Sequence, residues 1–414
     1  MTRLRIASVQ SGTSADAIDV LVVEVESVDD AVHMHPVTSQ AHAWPDYVRR
    51  EILAITQGEP ADAARWCRLD TALGECFAEA TAEVLRESGP CDFVVSHGQT
   101  LYHWHDGERT RGTLQLGEPS LIAERCGVPV LSHVRHADIA AGGEGAPLMA
   151  VFDRLWLGAE AAQRRRNFAS VNIGGIANAQ VISPDGTLTA WDTGPGNALI
   201  DAAVMRATEN TMAYDRDGTL ALQGRVQQPL IEQLMLHPYL QRTRPKTTGR
   251  HEFGDDLLDA IGIGNYRSED AIATLVEYTA MTIARDLVPH SPAEVIVSGG
   301  GVHHPLLMRR LAELMSGGAA EISTVDNTTV HSSAERGVGP DMKENLLFAL
   351  LGAHSWYGIP VSLGVTPARI AGRWSTAPHF LTRESPLSRM PQSVPAPPLQ
   401  PSTVTPWNRL EVVA

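Results

Sequence analysis

The chain has 414 residues, 43 % hydrophobic and 20 % charged, a length that exceeds one ordinary core and implies two lobes of a globular protein. Its formal net charge of -15 repels phosphate backbones and anionic headgroups, so nucleic acid and membrane surfaces are poor partners. Aromatics, at 5 %, leave little material for a stacking platform. In chain order, Leu4 to Val9 and Ile18 to Val25 read as two strands joined by the small-residue turn Ser11–Asp16. Helical periodicity then runs from Tyr47 to about Arg86. A buried strand at Phe93–Val95 enters Ser96-His97-Gly98-Gln99-Thr100. A short helix at Leu121–Arg125 and a buried strand at Val128–Leu131 follow. A second unit opens near Asn167 on the same plan, a strand, a Gly/Asn turn and another strand. Helices are expected over Asn197–Glu209, Asp270–Leu287 and Met342–Ser355, with a strand at Glu294–Ser298. From Pro378 to Pro406 there are eight prolines in 29 residues, which reads as an extended or disordered tail.

Cys67, Cys76, Cys91 and Cys126 form no CxxC pair and read as reduced thiols, without a disulfide framework or zinc site. The opening MTRLRIASVQ lacks a signal-peptide apolar region, and no window of about 20 apolar residues occurs. A cytoplasmic location is expected.

Four glycine-rich turns each follow a strand directly: Gly12-Thr13-Ser14-Ala15-Asp16, Asn172-Ile173-Gly174-Gly175-Ile176, Asp192-Thr193-Gly194-Pro195-Gly196-Asn197 and Gly299-Gly300-Gly301. Glycine lets backbone N–H groups close on an anion, and Ser, Thr and Asn add donors. A single such turn is usually punctuation; four, two of them acidic, are hard to explain that way. A P-loop needs Lys after its glycines, but the only lysines, Lys246 and Lys343, follow no such loop. A Rossmann GxGxxG after the first strand is also missing. A fold whose hairpin turns grip phosphates from two sides remains.

The strings GTSADAID, SHGQT, LQLGEPSLIAERCGVPVLSHVRHADIAAGGEGAPL, NIGGIAN, DTGPGNALID, RPKTTGR, VSGGGVHHPLL and PDMKENLLFALLG lie in the order found in anhydro-N-acetylmuramic acid kinases. The chain resembles that family from about residue 5 to 370. The resemblance implies an α/β, two-lobed sugar kinase/Hsp70/actin (ribonuclease H-like) fold with the active site in the interlobe cleft. It implies a kinase that opens 1,6-anhydro-N-acetylmuramic acid with water and phosphorylates O6 from ATP, with Mg2+, in cell-wall recycling. It also implies a homodimer. Domain boundaries are expected at 1–140 for the N-terminal lobe and 141–377 for the C-terminal lobe, with the tail at 378–414.

By the same resemblance Asp192 is the catalytic base, against the bland reading of a residue that opens a turn before a helix. Gly12, Thr13, Ser14, Asp16 and Asp19 are expected at the phosphates, with Asp16 at the metal, against a hairpin turn with a solvent-facing Asp. Gly174, Gly175, Gly194, Gly196, Asn197, Gly299, Gly300 and Gly301 complete the nucleotide side. Thr100, Arg135 and Glu344 are expected at the sugar; Arg135 suits a carboxylate, while Glu344 could merely complement a helix dipole. Gln115 and Glu118 are expected behind them. Ala17 and His304 stand where the family commonly has Gly and Asn. Alanine at position 17 is strained only if φ is positive, and His304 either contacts the nucleotide or is structural. His97, His103 and His105 lack matching partner spacing for a metal, and Arg164-Arg165-Arg166 reads as a solvated loop. The rival readings are a levoglucosan-type kinase, a hexokinase-like enzyme that adds no water, and a non-catalytic sugar sensor.

Overall fold

Two continuous apolar runs start the chain, and in the computed structural model they form an antiparallel pair, β1 (Leu4–Ser11) and β2 (Ile18–Val28), in register from Leu4 opposite Val25 to Gln10 opposite Asp19. The structure describes residues 3–244, 246–249, 252–317, 328–363, 367–377 and 407–413. A third strand, β3 (Ala31–His42), returns beside β2. Its sequence hides it, because Pro36 sits where a ladder N–H is normally needed. The register shifts between Val22 and Val23, opposite Pro36, and so tolerates it.

The helical stretch is two helices, α1 (Asp46–Thr56) and α2 (Ala63–Ser88). Asp62 caps α2 by accepting the Arg65 N–H at 2.7 Å, and Gly89 ends it. Leu69, Leu73, Phe77 and Val84 recur at helical spacing on its buried face, where Phe77 meets Trp44 edge-on. Next come β4 (Phe93–His105), β5 (Thr110–Leu116), α3 (Pro119–Cys126), β6 (Val130–Ser132), α4 (His136–Ala140) and α5 (Met149–Arg164). The run expected as a short strand thus continues through His105 as one arm of a hairpin.

The second unit holds β7 (Phe168–Ile173), β8 (Ile176–Ile182), β9 (Leu188–Pro195), α6 (Ala198–Ala207), α7 (Gln228–Met235), α8 (Asp255–Ala260), α9 (Ser268–Leu287), β10 (Glu294–Ser298), α10 (Pro305–Met315) and β11 (Thr329–Ser332). Helix α9 is buried on nearly every side, from Ala271 through Leu287, as its apolar composition requires. Arg164, expected in a solvated loop, ends α5 and bonds Glu294 of β10 at 2.5 Å; Arg336 joins Glu294 and Glu160. The chain closes with α11 (Lys343–Trp356), β12 (Arg373–Ser375) and β13 (Arg409–Val412).

Both sheets are wired alike. One runs β12-β6-β4-β1-β2-β3-β13, with β5 on β4, and the other β11-β10-β7-β8-β9. In each, three antiparallel strands are followed by two strands that add in parallel beside the first: β1 with β4 and β6, and β7 with β10 and β11. Parallel neighbours need helical crossovers, which α1 and α2 supply in one unit and α6 to α9 in the other. This repeated order is the ribonuclease H-like plan expected from the sequence.

The compact units divide after Trp156 and after Lys343. The sequence reading placed the first boundary after residue 140 and left helix α11 with the second lobe. Packing explains the difference. Trp356 stacks on Phe93, Phe348 stacks on His97, and Ser8 Oγ donates to Asn345 O at 2.9 Å. Helix α11 therefore belongs with the first sheet. No helix among the described residues is long and apolar enough to cross a membrane.

The proline-rich stretch, 378–406, lies outside the described residues. The tail expected at 378–414 does end in a strand: β13 adds parallel to β3, Arg409 opposite Ala31 through Val412 opposite Met34. Trp407 anchors it, 4 % exposed, with Nε1–H donating to Ser27 Oγ at 2.8 Å and the ring edge-on to His354 and Tyr357. Trp407→Ala should lower stability by roughly 3 kcal/mol. Amide exchange should then rise first along residues 31–34; unchanged protection there would show that β13 does not depend on this anchor.

Candidate active site

In the second unit three glycine turns meet. The turn between β7 and β8 presents two carbonyls to the turn after β9: Asn197 N–H donates to Gly174 O at 2.8 Å, and Gly196 and Ala198 donate to Gly175 O at 2.9 and 3.0 Å. A Cβ on Gly196 would stand 2.2 Å from Gly174 O, so only glycine allows this approach. Gly299, at φ 81°, lies against Asn172 and Ile173, and Gly301 against the Ile173 side chain. Asn197 Nδ2 also reaches Ile173 O at 3.4 Å, and Gly300 lies beside Asn197. Gly174, Gly175, Gly194, Gly196, Asn197 and Gly299 to Gly301 therefore form one cluster around the ends of β7, β9 and β10.

Asp192 is on β9, two residues before Gly194, and is held at three points. Its N–H donates to Lys246 O at 3.0 Å, its carbonyl accepts the Tyr239 hydroxyl at 2.7 Å, and its Oδ2 accepts the Thr248 N–H at 2.9 Å. Burial pushes the carboxyl up to about 6; the Thr248 N–H and the Lys246 charge act the other way. Lys246 is itself buried and pairs with Asp286 at 2.9 Å, and Trp191 Nε1–H donates to the same carboxylate. Sequence reasoning gave Tyr239, Lys246, Thr248 and Asp286 no role. The string RPKTTGR marked the segment of Lys246 and Thr248, but only the fold brings it to β9.

In the first unit, the β1–β2 turn places Thr13 and Asp16 on the surface. Ala15 N–H donates to Gly12 O at 3.0 Å, and Gln99 Nε2 donates to the same oxygen at 3.1 Å. Asp16 faces Arg49 at 3.4 Å, whose Nε also bonds Ala15 O. Asp19 accepts from Gln10 at 3.2 Å, and Ser14 is partly buried beside Gly12. The turn's positive φ falls on Ala15, at 52°, and not on Ala17, so the alanine at 17 carries no left-handed strain.

Thr100, Arg135 and Glu344 also lie in this unit. Gln115, on β5, donates to Thr100 Oγ1 at 3.3 Å and to Thr113 Oγ1 at 2.6 Å. Arg135 precedes α4; its Nε–H donates to His97 Nε2 at 3.1 Å and its Nη1 to Gly145 O at 2.8 Å. Burial pushes the guanidinium down to about 10, with the Glu344 charge opposing. Glu344 is exposed on the first turn of α11. Glu118, expected behind the sugar residues, caps α3 by accepting the Ser120 N–H. His304 is also a cap: Nδ1 accepts the Leu307 N–H at 3.3 Å, Nε2 lies 3.5 Å from Asp215, and Gly218 packs on the ring. The side chain thus starts α10.

The arrangement offers a raised carboxyl beside anion-binding turns in one unit, and a half-buried guanidinium with polar neighbours in the other. The family profile described as anhydro-N-acetylmuramic acid kinase matches residues 4–372. Relatives bearing that name include one from Streptomyces avermitilis, 40 % identical over 377 residues, covering 89 % of this chain and 94 % of that one. One from Streptomyces coelicolor is 38 % identical over 399 residues, covering 95 % and 98 %. One from Xanthomonas campestris is 37 % identical over 363 residues, covering 85 % and 91 %. With both sheets, the glycine turns and the sequence match in agreement over almost the whole length, this chain belongs to the anhydro-N-acetylmuramic acid kinase family.

Proposed function

We propose that the chain hydrolyses the 1,6-anhydro bridge of 1,6-anhydro-N-acetylmuramic acid and phosphorylates O6 with ATP, giving N-acetylmuramic acid 6-phosphate and ADP. The observation that carries the reading is Asp192, a partly buried carboxylate with a raised pKa, fixed at both backbone and side chain and leading straight into the glycine turns. A base near pH 6 is mostly ionised at neutral pH yet still basic enough to take a proton from water.

Asp192 accepts a proton from the water as its oxygen bonds to the anomeric carbon. The C1–O6 bond breaks through an oxocarbenium-like transition state. The O6 electron pair forms the new bond to the γ-phosphorus, and the β–γ bridging bond breaks to release ADP. Because phosphorus takes up the charge developing on O6, no separate carboxylic acid has to protonate it. This accounts for a mechanism with one carboxylate where an inverting glycosidase needs two.

The roles of the other residues follow from their chemistry. The turns that carry Gly174, Gly175, Gly194, Gly196, Asn197, Gly299, Gly300 and Gly301 hold the nucleotide side, with the Gly196, Asn197 and Gly299 N–H groups spent on fixing the turns themselves. Gly12, Thr13, Ser14 and Asp19 serve the terminal phosphates. Mg2+ prefers one or two carboxylates among waters and phosphate oxygens, and Asp16, exposed on its turn and 68 % accessible at the side chain, fits that need. The ion would offset charge on the β- and γ-phosphates. Thr100, Arg135 and Glu344 hold the sugar, with Arg135 matched to the lactyl carboxylate by its charge and planar fork. ATP supply places the reaction in the cytoplasm.

Incubation with MgATP and 1,6-anhydro-N-acetylmuramic acid in oxygen-18 water, sampled early by mass spectrometry, tests this. A 6-phosphate labelled at the anomeric oxygen is expected. A phosphorylated sugar with its bridge intact would instead identify a plain kinase that adds no water.

A further inference from the structure

Arg135 is a half-buried cation whose guanidinium donates to two neutral acceptors. Nε is bonded to the imidazole Nε2 of His97 and Nη1 to Gly145 O, so neither bond uses Nη2. The acceptors are themselves fixed. Gly145 N–H donates to Asp138 Oδ2 at 2.8 Å, which anchors the chain at Gly145. His97 Nδ1 lies 3.2 Å from Gly98 O, so Nδ1 carries the hydrogen and Nε2 is the free acceptor. The ring is 7 % exposed and stacks on Phe348 of α11, with centroids 4.6 Å apart and planes within 23°. Burial, and then the Arg135 charge, hold the imidazole well below its usual range, so it stays neutral.

An arginine facing an anionic ligand has a long, flexible stem whose ordering costs affinity unless the protein orders it beforehand. A carboxylate behind it would order it but would also cancel the charge that the ligand needs. A neutral histidine orders it and leaves the charge intact. We propose that His97 is a positioning residue for substrate recognition: its stacked, neutral ring accepts the Arg135 Nε–H and fixes the guanidinium to receive the carboxylate of the sugar substrate. Phe348 extends the same device to α11, the helix that carries Glu344 on its first turn, so two of the sugar residues are aligned through one ring. The inference rests on the reading above that Arg135 takes the lactyl carboxylate.

Two variants and two substrates test it. His97→Phe keeps the stack and removes the acceptor; His97→Gln restores an acceptor. The substrates are 1,6-anhydro-N-acetylmuramic acid and its lactyl amide, which has the same shape without the charge. His97→Phe should raise KM for the acid by roughly tenfold, the loss expected when a charged hydrogen-bond partner is misplaced. Its kcat and its KM for ATP should change far less, and its KM for the amide should match that of the parent protein. His97→Gln should recover most of the loss. Equal losses for acid and amide, or a matching rise in KM for ATP, would assign His97 to folding and overturn the proposal. So would a His97→Phe protein that discriminates acid from amide as the parent does. If the parent protein itself treats acid and amide alike, the reading of Arg135 fails and the proposal fails with it.

Discussion

Asp192→Asn is expected to lower kcat by about 10²- to 10⁴-fold, the contribution of a positioned general base, while raising stability at neutral pH. The two effects come from one cause. A carboxylate is needed to take the proton from water, and asparagine cannot take it. The same carboxylate is costly to bury: its pKa rises to about 6 in the fold, mainly by desolvation, against about 4 in an unfolded chain. A carboxyl raised in this way binds its proton more tightly when folded, so stability falls as pH rises from about 4 to 6 and is flat above. Asparagine removes that cost, and its side-chain oxygen can still accept the Thr248 N–H. The variant should be more stable than the parent by roughly 1 to 3 kcal/mol at pH 7.5, a gap that closes toward pH 4. In the parent, kcat/KM should fall as pH drops through about 6, the value set by the folded carboxyl. Denaturation at both pH values and a pH–rate profile check each limb. An inactive variant with no stability gain would mean that the carboxyl is not desolvated as the geometry implies.

Features confined to one short segment were legible in the sequence, and features assembled across segments were not. The glycine turns could be read because a turn's chemistry lies within five or six residues. Strand β10 matched its expected limits, Glu294–Ser298, since a buried apolar run followed by glycines leaves little choice. Strand β3 was hidden by Pro36, whose tolerance depends on a bulge in β3 itself, at Val37. The cap at His304 was not drawn from the sequence although His304-Pro305 has the cap-then-proline pattern of a helix start; the ring's place beside Gly218 and Asp215 shows only in the fold. Positive φ was suspected at Ala17 and falls on Ala15, because backbone angles within a turn depend on which carbonyl closes it, here Gly12. The environment of Arg135 was out of reach: His97, Gly145 and Phe348 come from three separate stretches of chain. Asp192 was recognised by resemblance, but its raised pKa requires the burial that the fold supplies, and the groups that oppose it, the Thr248 N–H and the Lys246 charge, come from more than fifty residues away.

Gly196→Ala should be the most damaging of single-methyl additions in the β7–β8 and β9 turns. The added Cβ would meet Gly174 O at 2.2 Å, with Ile176 C and Ala177 N at 3.1 and 3.2 Å, all backbone atoms. No side chain can rotate away, so one of the two turns must move. Gly196 is held from both sides, its N–H on Gly175 O and its carbonyl accepting Thr279 Oγ1 at 2.9 Å. Relief by shifting the turn therefore breaks hydrogen bonds that the buried groups cannot replace. A cost of roughly 1 to 3 kcal/mol is expected from overpacking alone. The functional loss should be larger in proportion, because the displaced turns are those assigned to the nucleotide. Misplacement of about an ångström can cost up to two orders of magnitude in rate, so KM for ATP should rise about tenfold or more. Gly158→Ala is the control: it lies within helix α5 with nothing within 4 Å of its added Cβ, and alanine there should stabilise by up to about 1 kcal/mol. Calorimetric titration with a non-hydrolysable ATP analogue, beside thermal denaturation of both variants, separates the effects. A Gly196→Ala protein that binds nucleotide as Gly158→Ala does would remove the β7–β8 and β9 turns from the nucleotide site, because the geometry leaves that methyl no neutral place to go.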